Sequence, residues 1–309
     1  MDPETNPTRR AVIRAMAATA AAAMSRPLSA LAHSAPITRP IPSSGEPLPV
    51  VGLGTWITFN VGDDAELREE CAAVMRAFFR EGGRVIDSSP MYGSSQSVIG
   101  YGLEKLGRPS DLFSADKVWI SSGSRGAGQI EESRAQWGVR RFDLLQVHNL
   151  LAWEEHLPTL LAMKADGRVR YVGITTSEGR RHEELERIMA SRPIDFVQVT
   201  YNVLDREVED RILPLARDRG IAVIINRPFR EGALIRQVMR HPLPSWASEI
   251  GAANWAQVLL KFIVSHPTVT CAIPATSKVA HVIENMGAAT GALPDTAMRR
   301  RIADHVERL

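Results

Sequence analysis

The feature that most constrains this chain is a regular alternation of short buried-strand patterns with helical patterns. The strand patterns lie near residues 49–54, 84–87, 112–118, 143–148, 170–175, 195–200, 221–226 and 269–274. Helix starts are indicated at Asp64, Ser95, Asp205 and Ser277-Lys278. Strands joined by helices form a parallel sheet covered on both faces, and eight such units close a barrel. We therefore predict an α/β fold, a single-domain (β/α)8 TIM barrel.

Four ionisable residues follow this pattern, at or just after the ends of different predicted strands. They are Asp87, Tyr92, Lys117 and His148. In a closed parallel barrel the strand ends meet at one face, so we expect these side chains to converge. A tyrosine has an ordinary pKa of about 10, so it acts as an acid near neutrality only beside a cation. We expect Lys117 to lower the pKa of Tyr92, and Asp87 to keep Lys117 charged.

Seven segments, occurring in a fixed order, resemble the aldo-keto reductase family. They are G-L-G-T-W (52–56), I-D-S-S-P-M-Y-G (86–93), D-K-V-W (116–119), D-L-L-Q-V-H-N (143–149), G-R-V-R-Y-V-G-I-T (167–175), F-V-Q-V-T-Y-N (196–202) and I-P-A-T-S-K-V-A-H-V-I-E-N (273–285). The resemblance implies an NAD(P)H-dependent oxidoreductase that reduces an aldehyde or ketone to an alcohol. Hydride then comes from the nicotinamide, Tyr92 is the general acid, and His148 orients the carbonyl. Each residue alone also fits a structural role in a turn or a core.

The resemblance also implies a nicotinamide dinucleotide across the barrel mouth, and no G-x-G-x-x-G motif follows the first strand. The implied cofactor contacts are Thr55, Trp56, Thr175, Thr176, Gln198, Asn226, Arg227, Thr276, Ser277, Lys278, His281, Glu284 and Asn285. Thr175 and Thr176 stand where many relatives have Ser-Asn. The aromatic residue that many relatives stack on the nicotinamide is replaced at Asn226 or Arg227. We expect Arg227 to stack by its planar guanidinium or to bind the pyrophosphate.

A further departure from the family's pattern concerns the residues that distinguish NADP from NAD. The positions where relatives often carry Lys and Arg for the 2′-phosphate are Ala275 and His281. Thr276, Ser277 and Lys278 can still hold a phosphate near a helix N-terminus. We therefore expect NADP as the cofactor, with NAD as the alternative, and a small carbonyl compound as the substrate.

Tryptophans are the candidate walls of the substrate pocket. Trp56, Trp119, Trp153 and Trp246 lie in or near predicted strand-end loops. We expect them to line an apolar or aromatic pocket, with interior packing as the alternative. The segment 230–251, which contains two prolines, is expected to cover the mouth. An unrelated barrel hydrolase is a further alternative, but the sequence has no metal-ligand cluster and no nucleophile elbow to support it. We therefore expect no metal site.

Residues 1–32 differ in composition from the rest of the chain. T-R-R-A-V-I-R at 8–14 is a twin-arginine opening, the alanine-rich run after it is too short to span a membrane, and A-L-A at 30–32 resembles a cleavage site. We predict a twin-arginine signal peptide at 1–32, the twin-arginine translocase as partner, and a periplasmic or secreted mature chain. The alternative is a disordered or helical extension on a cytoplasmic protein. Residues 33–46 are predicted to be a linker or N-terminal cover, and 47–309 the barrel.

Net charge limits which binding partners are expected, and the two cysteines limit which disulfides can form. Residues 1–32 hold four arginines against two acidic residues, a net charge of +2, and the whole chain is also +2. The rest is near neutral, so neither a nucleic acid partner nor stable membrane insertion is expected. Cys71 and Cys271 are expected to be buried and unpaired, with a disulfide as the alternative in an oxidising compartment.

Export also raises a second class of function. A periplasm does not maintain a nicotinamide pool, so an exported barrel would have to carry its dinucleotide with it. The alternative function is therefore an exported nucleotide-binding barrel that acts as a sensor or binding subunit with little turnover. The intact set of Asp87, Tyr92, Lys117 and His148 favours the enzyme.

Overall fold

The computed structural model describes residues 35–309, so the predicted signal peptide and its cleavage site lie outside the described residues. A short antiparallel hairpin comes first, with strands β1 (Thr38–Pro40) and β2 (Pro47–Pro49). An eight-stranded sheet with intervening helices follows. Among the described residues, no helix is both long enough and apolar enough to cross a membrane.

All neighbouring strands of the large sheet run parallel and in sequence order. The strands are β3 (Leu53–Gly54), β4 (Val85–Asp87), β5 (Phe113–Val118), β6 (Phe142–Val147), β7 (Val169–Thr175), β8 (Phe196–Thr200), β9 (Ala222–Asn226) and β10 (Val269–Ala272). Parallel bridges from Val51 to Ala272 and from Gly54 to Ala275 join the first strand region to the last. These bridges close the sheet, and the predicted (β/α)8 barrel is confirmed.

Ten α-helices occur within residues 35–309, and most of them lie between successive strands. They are α1 (Ala65–Arg80), α2 (Ser95–Lys105), α3 (Gly123–Trp137), α4 (Trp153–Ala165), α5 (His182–Ser191), α6 (Ile212–Arg219), α7 (Ala233–Val238), α8 (Trp255–Val264), α9 (Val279–Gly287) and α10 (Thr296–Val306). In α1, Asp64 caps the N-terminus by accepting from the Leu67 N–H at 3.0 Å. Its buried face is spaced by three and four residues, with Cys71, Val74 and Phe78 turned toward the barrel.

Two predicted element starts differ from the structure by more than one or two residues. The first strand was expected over 49–54, but only Leu53–Gly54 is regular strand. A Cβ on Gly54 would lie 2.6 Å from the Ile273 carbonyl oxygen, so the backbones approach closely where the barrel closes. Asp205 does not start a helix, because its carboxylate instead pairs with Arg230, and the next α-helix begins only at Ile212.

The hairpin of residues 38–49 covers the end of the barrel at which the strands begin. Ile41 and Leu48 are fully buried in one cluster with the barrel-interior side chains of Phe113 and Tyr171. The Glu46 carboxylate accepts from two arginines that flank strand starts, Arg84 and Arg170. Apolar packing and ion pairs therefore attach this segment to one end of the barrel, and the opposite end is open for a site.

Both cysteines are free and buried, as predicted. Burial raises the pKa of the Cys71 thiol to about 11, with a smaller contribution from the charge of Glu70. Burial also raises the pKa of Cys271, which faces the barrel interior. Neither thiol is therefore ionised near neutrality, and neither is a nucleophile of the site.

Candidate active site

A cavity of about 1050 Å³ lies at the carboxyl ends of the barrel strands. Asp87, Tyr92 and His148 line it, and Lys117 lies fully buried beside Asp87. The structure therefore brings the four predicted residues together from three different strand ends. Sites of barrel enzymes occupy this face, since the loops after the strands converge there.

The Asp87–Lys117 pair forms the base of this cluster. Asp87 ends β4, Lys117 lies next to last in β5, and the two strands pair in register. The Lys117 ammonium donates to Asp87 Oδ2 at 2.5 Å and to the Ser88 carbonyl at 2.8 Å. Burial alone would lower the pKa of Lys117, but the nearby Asp87 and Tyr92 raise it above its usual value. Lys117 is therefore held as a buried cation.

Tyr92 lies above this cation in a short 3-10 helix, Pro90–Tyr92. Its ring centroid is 5.2 Å from Lys117 Nζ and 5.7 Å from the His148 ring, which stands edge-on to it. Burial raises the pKa of the Tyr92 phenol, and the charge of Lys117 opposes this increase without overcoming it. The expected net lowering of the Tyr92 pKa was therefore wrong for this structure, because desolvation of the phenolate outweighs the attraction of the ammonium.

His148 follows β6 directly and is held in a neutral state. Burial, together with the charge of Lys117, lowers the pKa of His148 to about 2. Its Nδ1 lies 2.7 Å from Ser89 Oγ, and the Ser89 hydroxyl also accepts from the Met91 N–H. Asn149, with φ of 51°, begins the tight turn after it. A neutral imidazole can orient a carbonyl group by hydrogen bonding, but it is a poor proton donor near neutrality.

Several polar contacts that support the site were not predicted from the sequence. Gln146, and also Gln198, which was expected only as a cofactor contact, donate to Asp87 Oδ1, at 3.4 and 2.9 Å. Asp116, on the outer side of β5, accepts from the Lys117 N–H at 2.8 Å and from Gln96 Nε2 at 2.6 Å. The sequence did contain one signal for Asp116: it stands next to Lys117, and two adjacent polar residues are unusual in a strand buried on both faces.

Most of the expected cofactor contacts line the cavity. Those that do are Thr55, Trp56, Thr175, Gln198, Asn226, Arg227, Thr276, His281, Glu284 and Asn285. Thr176 lies buried behind this wall, and Ser277 and Lys278 are exposed outside it. Helix α9 begins just after Lys278, and the Lys278 N–H donates to Thr276 Oγ1 at 3.1 Å. This turn exposes Ser277 and Lys278 on the outer surface.

The residues after β9 are bound to neighbouring loops. Asn226 accepts from Thr200 Oγ1 at 2.6 Å and donates to the Thr176 carbonyl at 2.9 Å. The Arg227 guanidinium is 2.8 Å from Glu178 and also contacts Glu231. Asn226 is thus engaged on both sides of its amide, whereas Arg227 lines the cavity between two carboxylates.

The four tryptophans divide into two groups. Trp56 and Trp119 line the cavity, and Trp119 is 40% exposed. Trp153 and Trp246 do not line it. Trp153 donates to Glu184 at 2.8 Å, and Trp246 is buried edge-on against His305. Both face neighbouring helices, while Trp255, which was not predicted, does line the cavity.

The segment 230–251 contributes α7 and a 3-10 helix, and several of its residues border the cavity mouth.

Within residues 35–309, no group of three or more His, Cys, Asp or Glu side chains is arranged to hold a metal ion.

Comparison with known proteins places the chain in a family. The aldo/keto reductase family profile matches residues 50–305. The chain is 28% identical over 243 residues to a methylglyoxal reductase of Escherichia coli, covering 77% of this chain and 84% of that protein. It is 27% identical over 289 residues to the L-galactose dehydrogenase of Arabidopsis thaliana, covering 82% and 88%.

Solved structures share the fold. An aldo/keto reductase of Klebsiella pneumoniae, solved with NADP and acetate, superposes with a TM-score of 0.71 at 22% identity, covering 85% of this chain and 93% of that one. The aldo-keto reductase from Bacillus halodurans in its holo form gives 0.72 at 20% identity, covering 88% and 96%. The family profile spans most of the chain, so the protein belongs to the aldo/keto reductase family.

Proposed function

We propose that this chain is an NAD(P)H-dependent oxidoreductase that reduces an aldehyde or ketone to an alcohol. The observation that carries the proposal is the buried Lys117–Asp87 pair under Tyr92, at the base of a large cavity with the neutral His148 beside it. Relatives named as reductases support the same chemistry.

Each of the four residues has a distinct part in this reaction. A reduced nicotinamide, when bound, supplies the hydride. Tyr92, a phenol that is protonated near neutrality, gives its proton to the carbonyl oxygen. Lys117 stabilises the phenolate that remains, and Asp87 keeps Lys117 charged. His148 orients the carbonyl group by donating a hydrogen bond, with its other nitrogen held by Ser89.

The wall of the cavity suits a nicotinamide dinucleotide. Gln198 donates to Asp87, and within residues 35–309 its amide oxygen accepts no hydrogen bond, so it can receive a carboxamide N–H. Thr276 and Asn285, two of the implied cofactor contacts, also line the cavity. NADP is the expected cofactor, with NAD as the alternative. One similar structure was solved with NADP, and one relative is named as an NADH-specific reductase.

A steady-state assay tests this function. Purified protein is mixed with NADPH or NADH and a panel of carbonyl compounds that includes methylglyoxal, the substrate named for two relatives, and aromatic aldehydes. We expect cofactor oxidation that Tyr92→Phe reduces by roughly 100-fold or more. Cofactor binding without turnover by the unchanged protein would reject the reductase and support the sensor or binding-subunit alternative, which the intact site does not favour.

Export is a separate part of the proposal. The support is the T-R-R-A-V-I-R sequence at 8–14 with A-L-A at 30–32, both outside the described residues. Residues 1–32 fused to a reporter should carry it to the periplasm through the twin-arginine translocase, and replacing Arg9 and Arg10 by Lys should retain it in the cytoplasm. Equal export of both fusions would reject this targeting route.

A further inference from the structure

Three arginines line the cavity, and they differ in how their charge is balanced. Arg180 pairs with Glu178, and Arg227 pairs with Glu178 and Glu231. Arg236 lines the same cavity, and within residues 35–309 it has no ion pair with a carboxylate. Of these three arginines, Arg236 is therefore the one whose charge remains available to a ligand.

Local geometry places the Arg236 guanidinium over the start of α7. Its NH1 lies 2.7 Å from the position that a Cβ on Gly232 would occupy, so the absent side chain makes room for it. Gly232 has φ of +84° and also lines the cavity. A glycine thus serves both the turn into α7 and the space for the guanidinium.

Apolar surface adjoins this cation. Ile235 and Met239 of the same segment line the cavity, and Met239 is 69% exposed. Leu243 and Trp255 complete this side of the wall. An apolar surface that includes an aromatic ring, beside one free guanidinium, suits a ligand that joins a planar base to a phosphate.

The wall formed by α9 offers less to a phosphate. The positions at which many relatives carry Lys and Arg are Ala275 and His281, and His281 Nδ1 lies 3.4 Å from Thr276 Oγ1. Glu284 on the same helix adds a negative charge to the lining, while Lys278 does not line the cavity. This wall therefore has no permanent cation to receive a phosphate group.

We propose that Arg236 binds the 2′-phosphate of NADPH and sets the preference for NADPH over NADH. The inference rests on the proposed function, since it concerns the cofactor of that same site. The guanidinium donates hydrogen bonds to the oxygens of the 2′-phosphate, a group that NADH lacks. Losing a charge-assisted interaction of this kind should weaken NADPH binding by roughly 10- to 100-fold.

Cofactor binding tests the assignment without relying on turnover. Dissociation constants for NADPH and NADH are measured by quenching of tryptophan fluorescence in the unchanged protein, in Arg236→Gln and in Arg240→Gln. Arg240 is exposed just beyond α7 and does not line the cavity, so it is a matched control. We expect Arg236→Gln to weaken NADPH selectively, with NADH changed less than about threefold, and Arg240→Gln to change neither.

Two failures are distinguishable. If Arg236→Gln leaves NADPH affinity unchanged, or weakens both cofactors equally, Arg236 is not the 2′-phosphate contact, although the proposed reductase stands. If the unchanged protein binds neither dinucleotide, the proposed function and this inference both fail. Lys278→Ala addresses the competing site, since a selective loss of NADPH in that variant, with none in Arg236→Gln, would place the phosphate on the α9 side.

Discussion

At the scale of single residues, opposing electrostatic effects decide the protonation states in the site. Burial raises the pKa of Tyr92 and lowers the pKa of His148 to about 2. The pKa of Lys117 is raised because Asp87 and Tyr92 outweigh its burial. Near neutrality the site therefore holds a protonated phenol, a neutral imidazole and an ammonium–carboxylate pair. A reductase needs this set to orient a carbonyl group and to protonate its oxygen when hydride reaches its carbon.

The Asp87–Lys117 pair should be necessary for both activity and stability. Asp87→Asn keeps the shape but leaves a buried lysine without its carboxylate, so the pKa of Lys117 should fall. We expect kcat to decrease roughly 10²- to 10⁴-fold and the free energy of unfolding to drop by about 3–5 kcal/mol. Kinetics and urea unfolding measure both. The control is Asp63→Asn, whose side chain is 96% exposed beside Arg68 and should change little; equal effects of the two variants would contradict the account.

Asp116 gives a prediction about pH. Burial raises the pKa of Asp116 from 3.8 to about 7, against hydrogen bonds and the charge of Lys117 that lower it. Because the folded pKa exceeds the unfolded one, folding takes up a proton between these values, and the stability contributed by this group declines as the pH rises through that window.

The expected result is a smaller decline in the variant Asp116→Asn. The free energy of unfolding is measured by urea titration at pH 5 and at pH 8 for both proteins. From pH 5 to pH 8 it should decrease less in Asp116→Asn than in the unchanged protein. An identical decline in both would show that Asp116 does not titrate in this range.

Residue-scale properties were only partly predictable. The convergence of four side chains from different strand ends could be expected from the strand pattern and the resemblance. The net direction of the Tyr92 pKa could not, because it depends on how completely the phenol is buried. The contact of Ser89 with His148 was also missed, since 59 residues separate them in sequence.

At the scale of elements, apolar runs located the strands well and polar signals located their ends less well. Asp64 caps a helix as predicted, since only local contacts are needed. Asp205 resembles a cap in sequence, yet a tertiary partner, Arg230, takes its carboxylate. Ser277 and Lys278 lie just before α9 and are exposed without lining the cavity, a placement that sequence spacing alone does not reveal.

The hairpin of residues 38–49 should contribute stability without affecting the site. Leu48 is fully buried at the end of the barrel opposite the cavity, and Leu48→Ala should cost about 2–5 kcal/mol. Leu67→Ala is the matched control, since Leu67 is 40% exposed, and it should cost less. Urea unfolding and KM values report the two properties. A large increase in KM for Leu48→Ala would contradict the separation of the hairpin from the site.

At the scale of the whole molecule, the two ends of the barrel have different tasks. Apolar packing and the ion pairs of Glu46 close one end, while loops and α7 form a large cavity at the other. The barrel itself could be predicted from the eightfold alternation. Which tryptophans line the cavity could not, because Trp153 and Trp246 are directed into helix contacts by packing that involves distant segments.

The central claim is hydride transfer to a carbonyl carbon with Tyr92 as the acid, and isotope transfer tests it most directly. The protein is incubated with NADPH deuterated at the transferable C4 position and an aldehyde that it turns over, with Tyr92→Phe in parallel. The product alcohol is then analysed by mass spectrometry. We predict one deuterium on the carbinol carbon of the alcohol formed by the unchanged protein, and almost no labelled alcohol formed by Tyr92→Phe in the same time. An alcohol without deuterium, or equal amounts of labelled alcohol from both proteins, would contradict the account.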